Sequence, residues 1–255
     1  FWGGGVDPKA VQRIENNPPV DQQGDRVSVH STNWGWSSHL WISYIITAPP
    51  DADVRTSSGS GDVYLTNLNG ANEIHTGSGD VHAADLHGSL AAGTGSGDIT
   101  FDRIAGDARL SCSSGDITGN EAAGFFYAST SSGDITVHQL DQGGETHSSS
   151  GEVHLDDVRG NLTVHTASGD VRAGGELTAN HRWNVSTSSG DVRLLLPRGT
   201  AASVYFDTAS GGMNVDFPLT TQGWHRRHHI EGTIGGGSPS ATLRITTASG
   251  DIGVN

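Results

Sequence analysis

The sequence predicts an all-β fold, specifically a β-solenoid in which short coils stack along one axis. The first observation is a Ser-Gly-acid tripeptide that occurs seven times between Ser60 and Asp170, each time 18 residues after the previous one. The second is a Val or Ile directly after every acid. The third is glycine, which makes up 37 of the 255 residues. A fixed period of this length is typical of folds built by stacking one repeated unit.

Each coil is predicted to contain two strands and two turns. In the first coil, Val63 and Leu65 alternate with polar residues, as in a strand with one buried face. Gly70 then indicates a turn. A second alternating run follows, and in the next coil its inward residues are Leu90 and Ala92. Stacked coils would place parallel strands around one core, and the crossover rule favours a right-handed, single-stranded β-helix.

A column of small side chains, mostly hydroxyls, precedes the Ser-Gly-acid turns. The one cysteine of the chain occupies this place in its coil, so no disulfide can form within the chain. We predict that its thiol is a small buried side chain. The column consists of Thr76, Thr94, Cys112, Thr130, Ser148 and Thr166.

The period lengthens towards the C-terminus. Gly169, Gly190, Gly211 and Gly232 are 21 residues apart, and a last step of 18 residues reaches Gly250. We predict that these coils continue the stack in the order of the sequence. The solenoid repeats are thus expected over residues 57–255.

The residues before the repeats are predicted to form two parts. Residues 1–25 form an extended leader, and residues 26–56 form N-terminal strands that cap the solenoid, because an open end would expose core and unpaired strand edges. Trp34, Trp36 and Trp41 fall in this cap. We favour a role in covering the core, and the alternative is a sugar-binding aromatic platform.

Charge and hydropathy restrict the partners. With 14 basic and 28 acidic residues the net charge is −14, so the chain is expected to repel nucleic acid and anionic membrane surfaces. No segment reaches the roughly 18 apolar residues of a membrane span, so we expect no membrane insertion by this chain. The absence of an initial Met suits a protein whose export signal has been removed.

Several motifs resemble the DUF4097 family of bacterial adhesin-like β-strand-repeat proteins over about residues 26–255. The resemblance implies a β-solenoid and an exported or surface-attached, non-enzymatic protein, and it carries no functional residues to this chain. The motifs, besides the serial Ser-Gly-Asp turns, are Ala48 to Val54, Ser58 to Val63, Leu195-Leu196-Pro197, Gly232 to Gly237 and Ala248 to Ile252.

The acids of the repeat are the main candidate for a binding site. Coils that stack in register would place them in a row about 4.8 Å apart. Their repulsion could be offset by weakly bound Ca²⁺, since carboxylates are its preferred ligands. We favour the alternative that each Asp accepts N–H groups of its own turn. The row consists of Asp62, Asp80, Asp98, Asp116, Asp134, Glu152 and Asp170.

Catalysis and metal binding are weakly indicated. A regular row gives every acid the same surroundings, whereas acid–base chemistry needs two carboxyl groups in distinct environments. His75, His147 and His165 share one offset in their coils, and only the last two are on adjacent coils. We therefore expect neither an enzyme nor a cofactor, and we interpret the histidines as exposed strand residues.

The sequence thus favours an exported, non-enzymatic structural or adhesin-like protein of the cell surface. One variant is a fibre: the chain stops at Asp251–Asn255, shortly after entering a strand, so this rung could pair with Phe1–Gln23 of another copy. The first alternative is a surface sensor that binds cationic peptides or glycans on its acidic face. The second is a polysaccharide-degrading β-helix enzyme.

Overall fold

The computed structural model describes Gln12 and residues 15–30, 43–221, 228–236 and 239–255. The chain divides into two compact units, Phe1–Ala48 and Pro49–Asn255. The three tryptophans of the predicted cap, Trp34, Trp36 and Trp41, lie outside the described residues. Within the described parts, no helix is long and apolar enough to cross a membrane.

The first unit contains an antiparallel hairpin. Strands β1 (Val20–Gln23) and β2 (Arg26–Val29) pair with each other across a tight turn. Gly24 occupies this turn with φ of 60°, a conformation that glycine adopts at little cost. A strand therefore forms inside the predicted leader of residues 1–25, and the capping role of residues 26–56 stays a prediction.

The second unit is the predicted β-solenoid, in which two sheets enclose one core. The first sheet holds the strands after the Ser-Gly-acid turns: β4 (Val63–Leu68), β6 (Val81–Leu86), β8 (Ile99–Ile104), β10 (Ile117–Gly119), β12 (Ile135–Val137), β14 (Val153–Arg159), β16 (Val171–Glu176), β18 (Val192–Leu195), β20 (Met213–Val215) and β24 (Ile252–Val254).

The second sheet holds the strands before these turns, together with a terminal hairpin. Its members are β3 (Val54–Ser58), β5 (Asn72–Thr76), β7 (Leu90–Thr94), β9 (Ala108–Cys112), β11 (Phe126–Thr130), β13 (Gly143–Ser148), β15 (Asn161–Thr166), β17 (Arg182–Ser186), β19 (Ala202–Thr208), β21 (Leu219–Thr221), β22 (His229–Ile234) and β23 (Ala241–Thr247). We call one strand of each sheet, joined by a Ser-Gly-acid turn or its equivalent, a rung, and name it by the glycine of that turn.

The 18-residue period sets the register between rungs. Ile117 lies opposite Ile99 on one side and Ile135 on the other, and all three side chains are fully buried. The strands pair in parallel, so each residue stacks on its equivalent in the next coil. The predicted alternation is therefore confirmed: one face of each strand packs into the core and the other faces solvent.

The first-sheet strands contain a bend that the alternation alone does not explain. In β4, Thr66 and Asn67 both point outward before Leu68 returns to the core. Asn67 has φ of 57°, in the left-handed region that Asn tolerates better than most residues. The bend sends a third column of apolar side chains inward, and its bridges run through Ile104, Ala122, Leu140 and Val158.

Core columns alternate large and small residues. Phe101 is followed one rung later by Gly119, where a Cβ atom would lie 2.0 Å from the Phe101 ring. Phe126 is followed in the same way by Gly144, with a hypothetical Cβ contact of 2.5 Å to the Phe126 carbonyl oxygen. The two rings also meet across the core, with centroids 5.8 Å apart. Each ring therefore uses space that the next rung leaves empty.

The order of the last rungs differs from the order of the sequence. Strand β23 lies between β17 and β19, and β24 lies between β18 and β20. The Gly250 rung is thus inserted between the Gly190 and Gly211 rungs. The prediction of sequential coils is wrong here, because the chain passes over one position and returns to fill it.

The predicted coil at Gly232 is also absent. Gly232 lies in β22, which runs antiparallel to β19 and pairs with β21 on its other side. This hairpin covers the outer edge of β19. A glycine at the expected spacing was therefore not sufficient to identify a rung.

These findings remove the basis of the predicted fibre joint at the C-terminus. Ile252–Val254 was expected to be an open strand, but it has a parallel neighbour on each side, and Val254 is fully buried. A strand that is paired on both sides presents no edge to another chain. Self-association through the termini stays a prediction, and it requires another geometry.

We expect Gly119→Ala to destabilise the protein by about 1–3 kcal/mol, because the new methyl group collides with the Phe101 ring. Phe101→Leu combined with Gly119→Ala should recover part of this loss. Gly174→Ala is the control, since its Cβ would meet the nearest atom at 3.6 Å. Urea unfolding measures all four variants. Equal stability of Gly119→Ala and Gly174→Ala would contradict the predicted packing.

Candidate functional site

The acidic row predicted from the sequence exists, and its carboxylates bind the backbone. The Oδ1 atom of Asp98 accepts the N–H of Asp116 at 2.8 Å, and Oδ1 of Asp116 accepts the N–H of Asp134 at 2.8 Å. Each bond therefore crosses to the next rung. The expectation that each Asp binds N–H groups of its own turn is wrong in this respect. We call this row the acid ladder.

The acid ladder continues beyond the seven predicted residues. Oδ1 of Asp170 accepts the N–H of Asp191, and Oδ1 of Asp191 accepts that of Asp251, both at 2.8 Å. Asp251 in turn binds the N–H of Gly212 at 2.7 Å. The remaining bonds come from Asp62, Asp80 and Asp134, which bind the N–H groups of Asp80, Asp98 and Glu152.

This bonding gives the ladder a structural role that needs no cation. Glu152 is one methylene longer, and its carboxylate contacts Arg172 at 3.4 Å. Among the described residues, no group of three or more His, Cys, Asp or Glu side chains is placed to hold a metal ion. Weak Ca²⁺ binding along the ladder stays a prediction.

The hydroxyl column holds the same turns together from inside. Thr94 Oγ1 accepts the N–H of Gly97 at 3.1 Å and donates to the carbonyl oxygen of Gly79 at 2.9 Å. A Cβ atom on Gly97 would lie 2.0 Å from that same Gly79 oxygen. The threonine thus fixes the carbonyl at the place where only a glycine leaves room for it.

Cys112 fulfils the prediction of a small buried residue in this column. Its side chain is buried, and Sγ donates to the carbonyl oxygen of Gly115 at 2.7 Å. Burial raises the pKa of the Cys112 thiol above its usual value. The thiol is therefore mostly protonated near neutral pH.

Two carboxyl groups on the outer faces have lowered pKa values. A hydrogen bond from Arg55 is the main reason for the lowered pKa of Glu73, and one from Arg103 has the same effect on Asp85. Both pairs join neighbouring rungs on exposed surface. Such pairs add little to the stability, because water screens them.

The outer face of the second sheet carries the most concentrated group of functional side chains. The His147 and His165 rings stack 5.7 Å apart at an angle of 13°, which confirms that they are neighbours. Glu145 Oε1 lies 2.6 Å from His147 Nε2, and Ser186 Oγ lies 2.5 Å from His165 Nδ1. His75 has the same offset but lies several rungs away.

Beside the histidines is a column that the sequence analysis did not identify. The Arg109 guanidinium lies 4.2 Å from the Tyr127 ring centroid, and the Tyr127 and His147 rings are 5.8 Å apart. The residues of this column differ in type, so no repeated letter marked them, although their 18-residue spacing was available. We call Arg109, Tyr127, Glu145, His147 and His165 the histidine face.

An open depression of about 330 Å³ adjoins the histidine face. Its walls are rich in hydroxyl groups, which can both donate and accept hydrogen bonds. The lining residues are Ser129, Thr130, Ser131, His147, Ser148, Ser149, His165, Thr166 and Ala167.

A smaller polar cluster lies on the outer face of the first sheet. His154 Nε2 lies 3.1 Å and His138 Nδ1 3.4 Å from the same oxygen, Oδ2 of Asp156. Both imidazoles therefore converge on one carboxylate, and the surroundings are open surface.

We expect Asp116→Asn to keep the stability of the protein or to increase it slightly. Asparagine retains an oxygen that accepts the Asp134 N–H and removes one charge from a row of like charges. Asp116→Ala removes the acceptor and should cost about 0.5–1.5 kcal/mol. Urea unfolding compares the two. Equal losses in both variants would mean that the charge, not the acceptor, matters.

We expect Cys112 to resist alkylation by iodoacetamide at pH 8 in the folded protein and to react in denaturing urea. A raised pKa lowers the thiolate fraction at that pH, and burial blocks access. The control moves the thiol to its exposed neighbour by combining Cys112→Thr with Ser111→Cys. Rapid labelling of native Cys112, measured by mass spectrometry, would contradict this.

The comparisons with known proteins agree with this architecture. The family model described as Toastrack DUF4097 matches residues 51–149 and residues 88–255, and the two segments overlap. No curated protein and no solved structure matches the chain. The matched residues extend from the first turn of the solenoid unit through its inserted C-terminal rung. The chain therefore belongs to the Toastrack DUF4097 family.

Proposed function

We propose that this protein is an exported, non-enzymatic surface module of adhesin type that binds an extended polar ligand along one outer face. The observation that carries the proposal is the histidine face, where hydrogen-bonding side chains of successive rungs stand in register next to the open depression. A ligand with regularly spaced polar groups could contact several rungs at once. Many weak contacts of this kind add up to useful affinity.

The chemistry of the histidine face favours a glycan as the ligand. Arg109 and His147 pack on Tyr127 from its two neighbouring rungs, so little of the ring is free for a sugar to stack on. The ligand would instead meet the edges of the side chains, with hydrogen bonds from Arg109, the imidazoles and the serines of the depression. Sugar hydroxyl groups match such a surface because they both donate and accept.

The use of the acids argues against catalysis. The carboxylates of the acid ladder are repeated in one environment and bind backbone N–H groups, whereas glycoside hydrolysis needs two carboxyl groups with different roles. Export would place the module where surface glycans occur. The net charge of −14 would help keep it soluble there.

The acid ladder supports a second candidate ligand, a cationic peptide. Its exposed carboxylates follow one another at the rung spacing, which would suit an extended chain with regularly placed Lys or Arg residues. This binding would weaken steeply with added salt. A glycan bound mainly by neutral hydrogen bonds would be much less sensitive.

We expect the protein to bind a subset of glycans on an array, and Tyr127→Ser or His147→Ala to reduce that binding about tenfold, since each removes part of the contact surface. Tyr205→Ser is the matched control, because Tyr205 also packs against an arginine, Arg244, at 4.1 Å but lies away from the depression.

Three results would overturn parts of this proposal. Equal binding by the Tyr127 and Tyr205 variants would exclude the histidine face. Salt-sensitive binding of cationic peptides, lost in Asp98→Asn/Asp116→Asn, would favour the acid ladder. Release of unsaturated uronates or reducing ends from acidic polysaccharides would establish an enzyme. Cell fractionation of the native source tests the export.

A further inference from the structure

The Gly250 rung is the part of the fold that another copy of the chain could replace. Both of its neighbours, the Gly190 and Gly211 rungs, precede it in the sequence. The gap between them is therefore defined by earlier parts of the chain. The Gly250 rung fills it with two parallel strands, β23 and β24.

The contacts of the inserted rung repeat those of every other rung. Gly250 would place a Cβ 1.8 Å from the Gly190 oxygen, and Gly211 one 1.8 Å from the Gly250 oxygen. Thr247 Oγ1 donates to Gly190 at 3.2 Å, and Thr208 Oγ1 donates to Gly250 at 3.1 Å. The gap is thus complementary to one specific segment, residues 239–255.

The inserted rung is also a large part of the local core. Leu243, Ile245 and Val254 are fully buried, and Ile252 is 1% exposed. Without this rung, the apolar faces and strand edges of both neighbours would be uncovered. Exposed parallel edges pair readily with a matching strand from another molecule.

The connection that leads into the rung is suited to exchange. Its sequence is Gly-Gly-Gly-Ser-Pro over residues 235–239. Gly235 and Gly236 have φ of 78° and 79°, and a Cβ on Gly236 would meet no atom within 4 Å. Glycine-rich connections permit many paths at low cost, so the same rung could reach the gap of its own chain or of a neighbour.

We propose that copies of this protein exchange their Gly250 rungs, so that residues 239–255 of one chain fill the gap between the Gly190 and Gly211 rungs of another. Within the gap the bonds are identical in both cases, so exchange costs only the entropy of association and is favoured at high local concentration. The partner is a second copy, because it carries the matching turn. Exchange depends on this rung and not on the histidine face, so the two proposals can fail separately.

The test uses two variants in a Cys112→Ser background, Ser186→Cys in one chain and Thr246→Cys in the other. These positions are directly opposite each other on β17 and β23. A disulfide between the two chains can form there only when the rung of the second chain lies in the gap of the first. The variants are mixed at high concentration in mild urea, diluted, oxidised and run on a non-reducing denaturing gel.

The matched control pair is Ser111→Cys and Ser129→Cys, which are opposite each other on β9 and β11 within consecutive rungs. This pair reports random collisions. We expect the covalent heterodimer of the Ser186→Cys and Thr246→Cys chains to exceed the control heterodimer about tenfold, because exchange holds the two thiols at high effective concentration. Equal yields of the two heterodimers would overturn the proposal.

Discussion

Neighbouring rungs approach so closely at the Ser-Gly-acid turns that no side chain fits between them. A Cβ on Gly115 would lie 1.9 Å from the Gly97 oxygen, and one on Gly151 would lie 1.7 Å from the Gly133 oxygen. The hydroxyl column directs these carbonyl groups, and the acid ladder binds the N–H that follows each glycine. Both columns depend on the spacing that the glycines permit. The 18-residue sequence period is the consequence of this contact.

The regular part of the fold could be predicted from the sequence because its determinants are local. The Ser-Gly-acid turn and the alternating strands lie within one coil, and each coil stacks on the previous one. The order of the last rungs could not be predicted in this way. The turn around Gly250 shows that its residues form a rung, but the same letters fit any gap of the stack. Gly232 has the right spacing but lies in an antiparallel strand, where its neighbours on β19 and β21 decide its structure.

The candidate sites follow the same division. The acid ladder is visible in the sequence because one residue type repeats, and only the bonding partner of each carboxylate required the structure. The histidine face is a column of unlike residues, so Arg109, Tyr127 and Glu145 acquire a shared meaning only when they are stacked. His147 and His165 could be predicted as neighbours because they repeat. In a solenoid, therefore, repetition in the sequence indicates structure, and departures from repetition on an outer face indicate candidate binding surfaces.

The insertion of the Gly250 rung has a consequence for the order in which the protein is made. Up to the Gly190 rung, each coil can fold onto its predecessor as soon as it is synthesised, with contacts about one coil apart. The Gly211 rung is made next, yet its inner neighbour is synthesised later: Gly212 waits for Asp251, 39 residues further along the chain. Contacts of such separation form slowly. Growth of the stack is thus expected to be fast, and its closure to be the slow step of folding.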